Sequence, residues 1–244
     1  LVGLVGSEMC IRDRQMPVAD PKSKQKFDRQ AKLAEVMEQA LKFFQLRLNA
    51  SSAANARSYL SDRGLPQEVR ERFEIGFAPN SWQELWEYLT NKSVDDELIL
   101  AAGLAKPSNN GKRPYDTFRN RIIFPIRDPR GRCIGFGGRA MDPADNAKYL
   151  NSPETELFDK GRSLYNYGPA REATGKGQLL IVAEGYMDVI ALTQAGFEAA
   201  VAPLGTAVTE TQLQLMWRVS DEPIIALDGD KAGVCLLYTS DAAD

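Results

Sequence analysis

Two short acidic strings hold the strongest potential for chemistry in this chain, Glu184-Gly-Tyr-Met-Asp188 and Asp228-Gly-Asp230. Four carboxylates brought together repel one another and require a cation. The chain contains no histidine, and Cys10, Cys133 and Cys235 lie far apart. Ligation by oxygen alone therefore points to Mg²⁺ or Mn²⁺. An EF-hand reading of Asp228 fails because Ala232 stands at the fifth position, where a ligand is needed. The same Ala232 defeats an aspartyl-phosphate D-x-D-x-T pattern. The plain alternative makes these acids helix-start charges and turn formers. It loses force if both strings meet at one edge.

A second set is basic, comprising Arg119, Arg121, Arg127, Arg130, Arg132 and Arg139, then Lys148-Tyr149 and Lys160. Guanidinium forks suit bidentate phosphate contact, and Tyr149 could stack on a base or sugar. The competing reading is a solvated hairpin face, and strand alternation would turn about half of these side chains the other way. The charge is segregated. Residues 112–139 carry eight basic side chains and two acidic ones, and residues 177–233 two basic and eight acidic. A polyanion-facing patch beside a cation-facing one would look like this.

Gly135-Phe-Gly-Gly-Arg-Ala140 fits G-x-G-x-x-A, but a dinucleotide site needs a helix to start there. Pro143 follows, and the preceding strand belongs to a hairpin. Those glycines would instead let backbone pass close to a partner such as nucleic acid, with Arg139 exposed beside them. No Walker-type phosphate loop occurs, and Pro203-Leu-Gly-Thr206 reads as an ordinary strand-to-helix connection.

The elements that must position these residues change character along the 244 residues. From Phe27, the apolar series Ala31, Ala34, Met37, Leu41, Phe44 and Leu48 predicts one face of a long helix. A second helix over 54–63 should stop at Gly64, and Pro66 should open a short third. Ser81…Glu84 and Ser93…Asp96 have capping-box spacing, predicting helices from Trp82 and from Val94 to about Gly103. Asn110-Gly111 is a turn. Residues 121–127 and 132–138 read as a hairpin closed by Asp128-Pro-Arg-Gly131. Residues 140–176 read as loop with short elements. Strands over 178–183, 199–202 and 223–227 then alternate with helices over 186–195 and from Thr209 to about Val219. That grammar predicts a parallel, right-handed α/β sheet. In such a sheet the strands' carboxyl ends share one edge, so Glu184, Asp188, Asp228 and Asp230 would converge.

Composition excludes much else. Without histidine there is no Ser-His-Asp or Cys-His catalysis, and no C-x-x-C supports zinc or a disulfide framework. No apolar run approaches the ~18 residues of a membrane span. LVGLVG is too short and lacks the basic flank of a signal peptide, so a cytoplasmic setting is expected. Residues 1–14 and 234–244 read as non-native scars, with 15–24 as linker, and the chain as a fragment.

Phe118-Arg-Asn-Arg-Ile-Ile-Phe-Pro-Ile-Arg-Asp128, Ile134-Gly-Phe-Gly-Gly-Arg139, Lys148-Tyr-Leu-Asn-Ser-Pro-Glu-Thr155 and the two acidic strings together resemble the bacterial DnaG-type primases. Arg57-Ser-Tyr-Leu, Arg63-Gly64 and Ile75-Gly-Phe-Ala-Pro79 fit as well. The resemblance runs from about residue 25 to 233. It implies an α+β subdomain over 25–176 bearing a basic ridge, followed by a truncated Toprim subdomain over 177–233. It gives catalytic roles to Glu184, Asp188, Asp228 and Asp230, with Glu184, Asp228 and Asp230 as metal ligands. Arg119, Arg121, Arg139, Lys148, Tyr149 and Lys160 would guide nucleic acid. The implied activity is synthesis of short RNA primers on single-stranded DNA from NTPs, with Mg²⁺ or Mn²⁺, by a monomer. Zinc is expected only in an N-terminal domain missing here, and the replicative helicase would dock on a missing C-terminal domain. The alternatives are another Toprim enzyme (a topoisomerase or nuclease) and a non-catalytic single-strand-binding module that needs no metal.

Overall fold

The computed structural model describes residues 21–108, 113–205 and 207–227. Its elements run in the order α1 (Pro21–Asn49), α2 (Ala54–Asp62), α3 (Gln67–Arg72), β1 (Gly76–Ala78), α4 (Glu84–Asn91), α5 (Asp96–Ala101), β2 (Ala105–Lys106) and β3 (Tyr115–Asp116). Then come β4 (Arg121–Arg127), β5 (Cys133–Ala140), β6 (Tyr149–Asn151), β7 (Leu164–Tyr165), α6 (Tyr167–Gly175), β8 (Ile181–Ala183), α7 (Tyr186–Gln194), β9 (Ala200–Pro203), α8 (Glu210–Trp217) and β10 (Ile224–Ala226). The mixed α/β class expected from the sequence is what folds.

One sheet has the order β1-β4-β5-β6 and is antiparallel throughout. The other has the order β10-β8-β9-β7, with β10, β8 and β9 parallel and β7 antiparallel at its edge. The hairpin of β4 and β5 closes at Asp128, whose amide donates to the Arg132 carbonyl at 2.9 Å. Gly131 takes φ +82° there, a conformation that costs a residue with a side chain more.

Alternation splits the antiparallel sheet's side chains between two cores. Ile122, Phe124 and Ile126 join a core with α2, Tyr186 and the parallel sheet, and the register shift at Ile126/Arg127 turns Ile134 into it as well. Ile123, Cys133 and Phe136 join one with α1, α4 and α5. Helix α1 buries Leu33, Met37, Ala40, Phe44 and Leu48. Its expected apolar face fails at the start, since Phe27 is 64% exposed and Ala31 is exposed. Polar bonds hold that end instead: Arg29 donates to Glu97 at 2.9 Å and to Glu156 at 2.8 Å.

Two capping boxes are corrected. Helix α4 starts at Glu84, leaving Trp82 outside it, and the amides of Leu85 and Trp86 donate to the Asp116 carboxylate at 2.9 and 3.0 Å. A carboxylate distant in sequence outcompetes the Ser81 hydroxyl because it satisfies two orphan donors at once. Helix α5 starts at Asp96, with Ser93 at φ 60° outside it. The third box forms as expected, with Thr209 accepting from the Gln212 amide. Helix α6 is a full helix within the stretch expected to be loop. The Asn110-Gly111 turn lies outside the described residues.

Candidate active site and nucleic-acid-facing sheet

Strand β8 ends at Ala183, so Glu184 leaves the carboxyl end of the parallel sheet and Asp188 sits in the first turn of α7. The Asp188 carboxylate accepts from the Gly185 amide at 3.0 Å, capping the helix that follows. Strand β10 pairs with β8 in parallel register, Ala226 opposite Ala183. Asp228 and Asp230 lie outside the described residues. Among the described residues, no three Asp, Glu, Cys or His side chains are grouped to hold a metal ion. The donor chemistry present still suits a hard cation, because both acids at this edge offer oxygen. Cys133 is buried, and burial pushes its thiol far above the usual range, so it competes neither as ligand nor as nucleophile.

The basic residues divide between the two faces of the antiparallel sheet. Arg139 pairs with Ile122 and with Tyr149, so it faces the parallel sheet. Its guanidinium lies 4.2 Å from the Tyr59 ring centre, and it donates to the Ala140 carbonyl at 3.1 Å. Burial raises the Tyr149 phenol above its ordinary pKa; the Arg139 charge and hydrogen bond oppose this, and Asp188 adds to it. Arg139 and Tyr149 are register partners, and the Tyr149 ring centre lies 6.3 Å from that of Tyr186, two residues before Asp188. The Lys148 ammonium stands 5.8 Å from the ring centre of Tyr149, which is 43% exposed.

Arg121 is on the other face. It is 5% exposed, pairs with Asp145 at 2.6 Å, and donates to the carbonyls of Ala147 at 2.8 Å and Gly138 at 3.2 Å. Arg119 donates to the Asp116 carbonyl at 2.8 Å and packs over Trp82 at 4.1 Å and Tyr115 at 5.5 Å. Both line an open pocket of about 390 Å³ with Lys106, Asn120 and Asp142. Lys160 is exposed near α8, its carbonyl held by the Gln212 amide at 2.8 Å. The basic residues thus form two groups and an outlier.

The glycine string is corrected too. What passes close to it is protein. The space a Gly137 Cβ would take is filled by the Tyr186 ring, that of Gly138 by Phe118 and Arg121, and that of Gly135 by Phe158. Arg139 is half-buried rather than exposed. Tyr59, Trp82 and Asn151 are neighbours of the site that residue types alone did not single out. For Tyr59, its place on the helix before Gly64 was the available signal.

Residues 43–171 match the family of the DNA primase catalytic core, N-terminal domain, and residues 178–239 match the Toprim domain. A DNA primase of Salmonella typhimurium is 45% identical over 201 residues, covering 82% of this chain and 34% of that protein. The chain thus spans about a third of the length of the curated relatives it matches. The solved DnaG primase catalytic domain bound to ssDNA is 42% identical with a TM-score of 0.78, covering 88% of this chain and 66% of that one. The RNA polymerase domain of Mycobacterium tuberculosis primase DnaG is 34% identical with a TM-score of 0.81, covering 88% and 72%.

Proposed function

The chain belongs to the DnaG-type DNA primases, and from that membership we propose that it forms part of a DNA-dependent RNA polymerase that primes single-stranded DNA. The observation that carries this reading is the parallel register of β8 and β10, Ala226 opposite Ala183, so that both strands end at the sheet edge where Glu184 follows β8. The primer 3′-hydroxyl, or that of the initiating nucleotide, attacks the α-phosphate of an NTP, and pyrophosphate leaves. Glu184, Asp228 and Asp230 would supply oxygen ligands for a divalent ion, Mg²⁺ or Mn²⁺, with Asp188 as a further catalytic acid beside them. When bound, that ion lowers the pKa of the attacking hydroxyl and offsets the charge gathering on the phosphates.

Arg139 and Lys148 hold phosphates beside this edge, and Tyr149 offers a ring to a base. Arg119 and Lys160 contact the strand further away, and Arg121 acts by tying down the loop that carries Asp145 and Ala147. We place the change of subdomain at residues 176–177, although one apolar core runs across it. A monomer working in the cytoplasm with a replicative helicase completes the reading. Among the described residues, no helix is long and apolar enough to cross a membrane.

The test is template-directed RNA synthesis by the natural full-length polypeptide with Asp228→Asn, Asp230→Asn or Asp188→Asn. We expect losses of roughly a hundredfold or more with single-strand affinity kept. Near-normal rates in all three would overturn the assignment of the acids.

A further inference from the structure

Tyr186 stands between the two acids of its own string, yet its side chain is 6% exposed and lies in the joint between the two sheets. Its ring stacks on Phe124 of β4, with centres 5.0 Å apart and planes 6° apart. It meets Tyr165 of β7 edge-on at 4.7 Å. Its hydroxyl donates to Oδ1 of Asn151 on β6 at 2.6 Å. Nδ2 of Asn151 in turn donates to the carbonyl of Leu204, just past β9, at 2.5 Å. The room for the ring comes from Gly137 on β5, the register partner of Asn151, where any Cβ would overlap the ring and its hydroxyl.

The first turn of α7 is therefore gripped by β4, β5 and β6 of one sheet and by β7 of its own. Through Asn151 the same grip reaches the end of β9. A phenylalanine would satisfy the stacking; the hydroxyl adds a direction, since a hydrogen bond fixes orientation where apolar contact allows sliding. Burial keeps the phenol protonated, with its pKa well above the ordinary value, so it serves as a donor across the working pH range. The Tyr186 ring is buried in this joint, and Asn151 at its end is half-buried.

We infer that Tyr186 is a positioning residue, acting through Asn151, that sets the Glu184 and Asp188 carboxylates at a fixed distance and angle from Arg139 and Tyr149. The consequence for catalysis rests on the polymerase reading above, whereas the joint itself does not. Without the hydroxyl, α7 rocks against β6, and the acids and the phosphate-holding cations spend less time in a productive arrangement.

Two measurements test this in Tyr186→Phe, Asn151→Ala and the double variant of the natural full-length polypeptide. Hydrogen exchange should speed roughly tenfold at the amides of 185–188 and 149–151 in each variant, with α1 unchanged. The kcat for RNA synthesis should fall roughly tenfold with KM for NTP within about twofold, and the double variant should lose no more than the worse single. Gly137→Ala should give the same kinetic split with both polar groups intact, by pushing the ring aside. Unchanged exchange, additive losses, or a raised KM with kcat kept would each overturn the inference. A wild type that makes no RNA, with the exchange results as expected, would sink the polymerase reading and leave the joint standing.

Discussion

Arg127 on β4 donates to Glu38 of α1 at 2.7 Å and to Glu74 at 2.5 Å, whereas Asp188 at the parallel sheet's edge gives one oxygen to a neighbouring amide and is otherwise exposed. The contrast holds beyond that pair. Arg121 is buried against Asp145, and Arg132 is paired with Asp128 at 2.8 Å. Among the described residues, Arg119, Arg139, Lys148 and Lys160 make no ion pair, and aromatic rings flank the first three. Most of the formal positive charge in the antiparallel sheet is thus spent inside the fold. The share left without an ion pair among the described residues is small, and most of it is flanked by rings.

Replacing Arg127 with Met should test the spent charge with the largest effect. It removes the cation shared by two half-buried carboxylates, and breaking such a partly exposed cluster costs about 2–3 kcal/mol of folding free energy. Against the burial of Glu38, the hydrogen bonds it accepts from Arg127 and from the Cys133 amide and the Arg127 charge hold its carboxyl below the ordinary range. Urea unfolding should show the loss, and single-strand affinity should stay within about twofold. A variant of normal stability that binds DNA poorly would move Arg127 from scaffold to ridge and break the comparison.

Asp116 sharpens it from the other side, as an acid in the basic sheet that is 3% exposed and has amides for partners. Burial raises its pKa from 3.8 to about 6, against the pull of the Leu85 and Trp86 amides. A carboxyl whose folded pKa is raised binds its proton more tightly when folded. Its contribution is therefore full below pH 3.8 and lost as pH rises through about 6. Each pKa unit is worth about 1.4 kcal/mol, so the stability difference between wild type and Asp116→Asn should fall by up to about 3 kcal/mol from pH 4 to pH 7. Urea midpoints across that range would show it. A flat difference would mean that the carboxylate is solvated and the cap on α4 is weak.

The residue pattern already carried much of this architecture. The hairpin, the parallel order of β8, β9 and β10, and the Thr209 cap follow from periodicity and local turn chemistry, which act within a few residues. The misses are tertiary. Nothing near Ser81 announces that Asp116, from another strand, will cap α4. Helix α6 escaped because its residues Gly168, Pro169 and Gly175 read as breakers, although Ala170 and Ala173 bury its inner face. At the candidate site, the strand and helix patterns placed Glu184 after β8 and Asp188 in the first turn of α7. They could not tell that Arg121 points to the opposite face, because that depends on strand register. Nor could Gly137 name its occupant, Tyr186, which lies far along the chain.

The smallest effects should come from the exposed pair at β6, and they separate two kinds of contact. Tyr149 offers a ring next to Arg139, so Tyr149→Ala should weaken single-strand binding by about 1–3 kcal/mol if a base stacks there, with the salt slope unchanged. Lys148 offers charge alone. Removing one phosphate contact reduces the number of counterions released, so Lys148→Ala should lower the slope of log affinity against log salt by roughly 0.7. Its loss of affinity should be slight at high salt and uniform across sequences. Fluorescence anisotropy of a labelled strand over a salt series separates the two, since stacking shifts the line and charge tilts it. If Lys148→Ala shifts the line without tilting it, the ammonium is a spacer for the Tyr149 ring. If neither variant departs from wild type, the strand runs along the other face, past Arg119 and the pocket it lines.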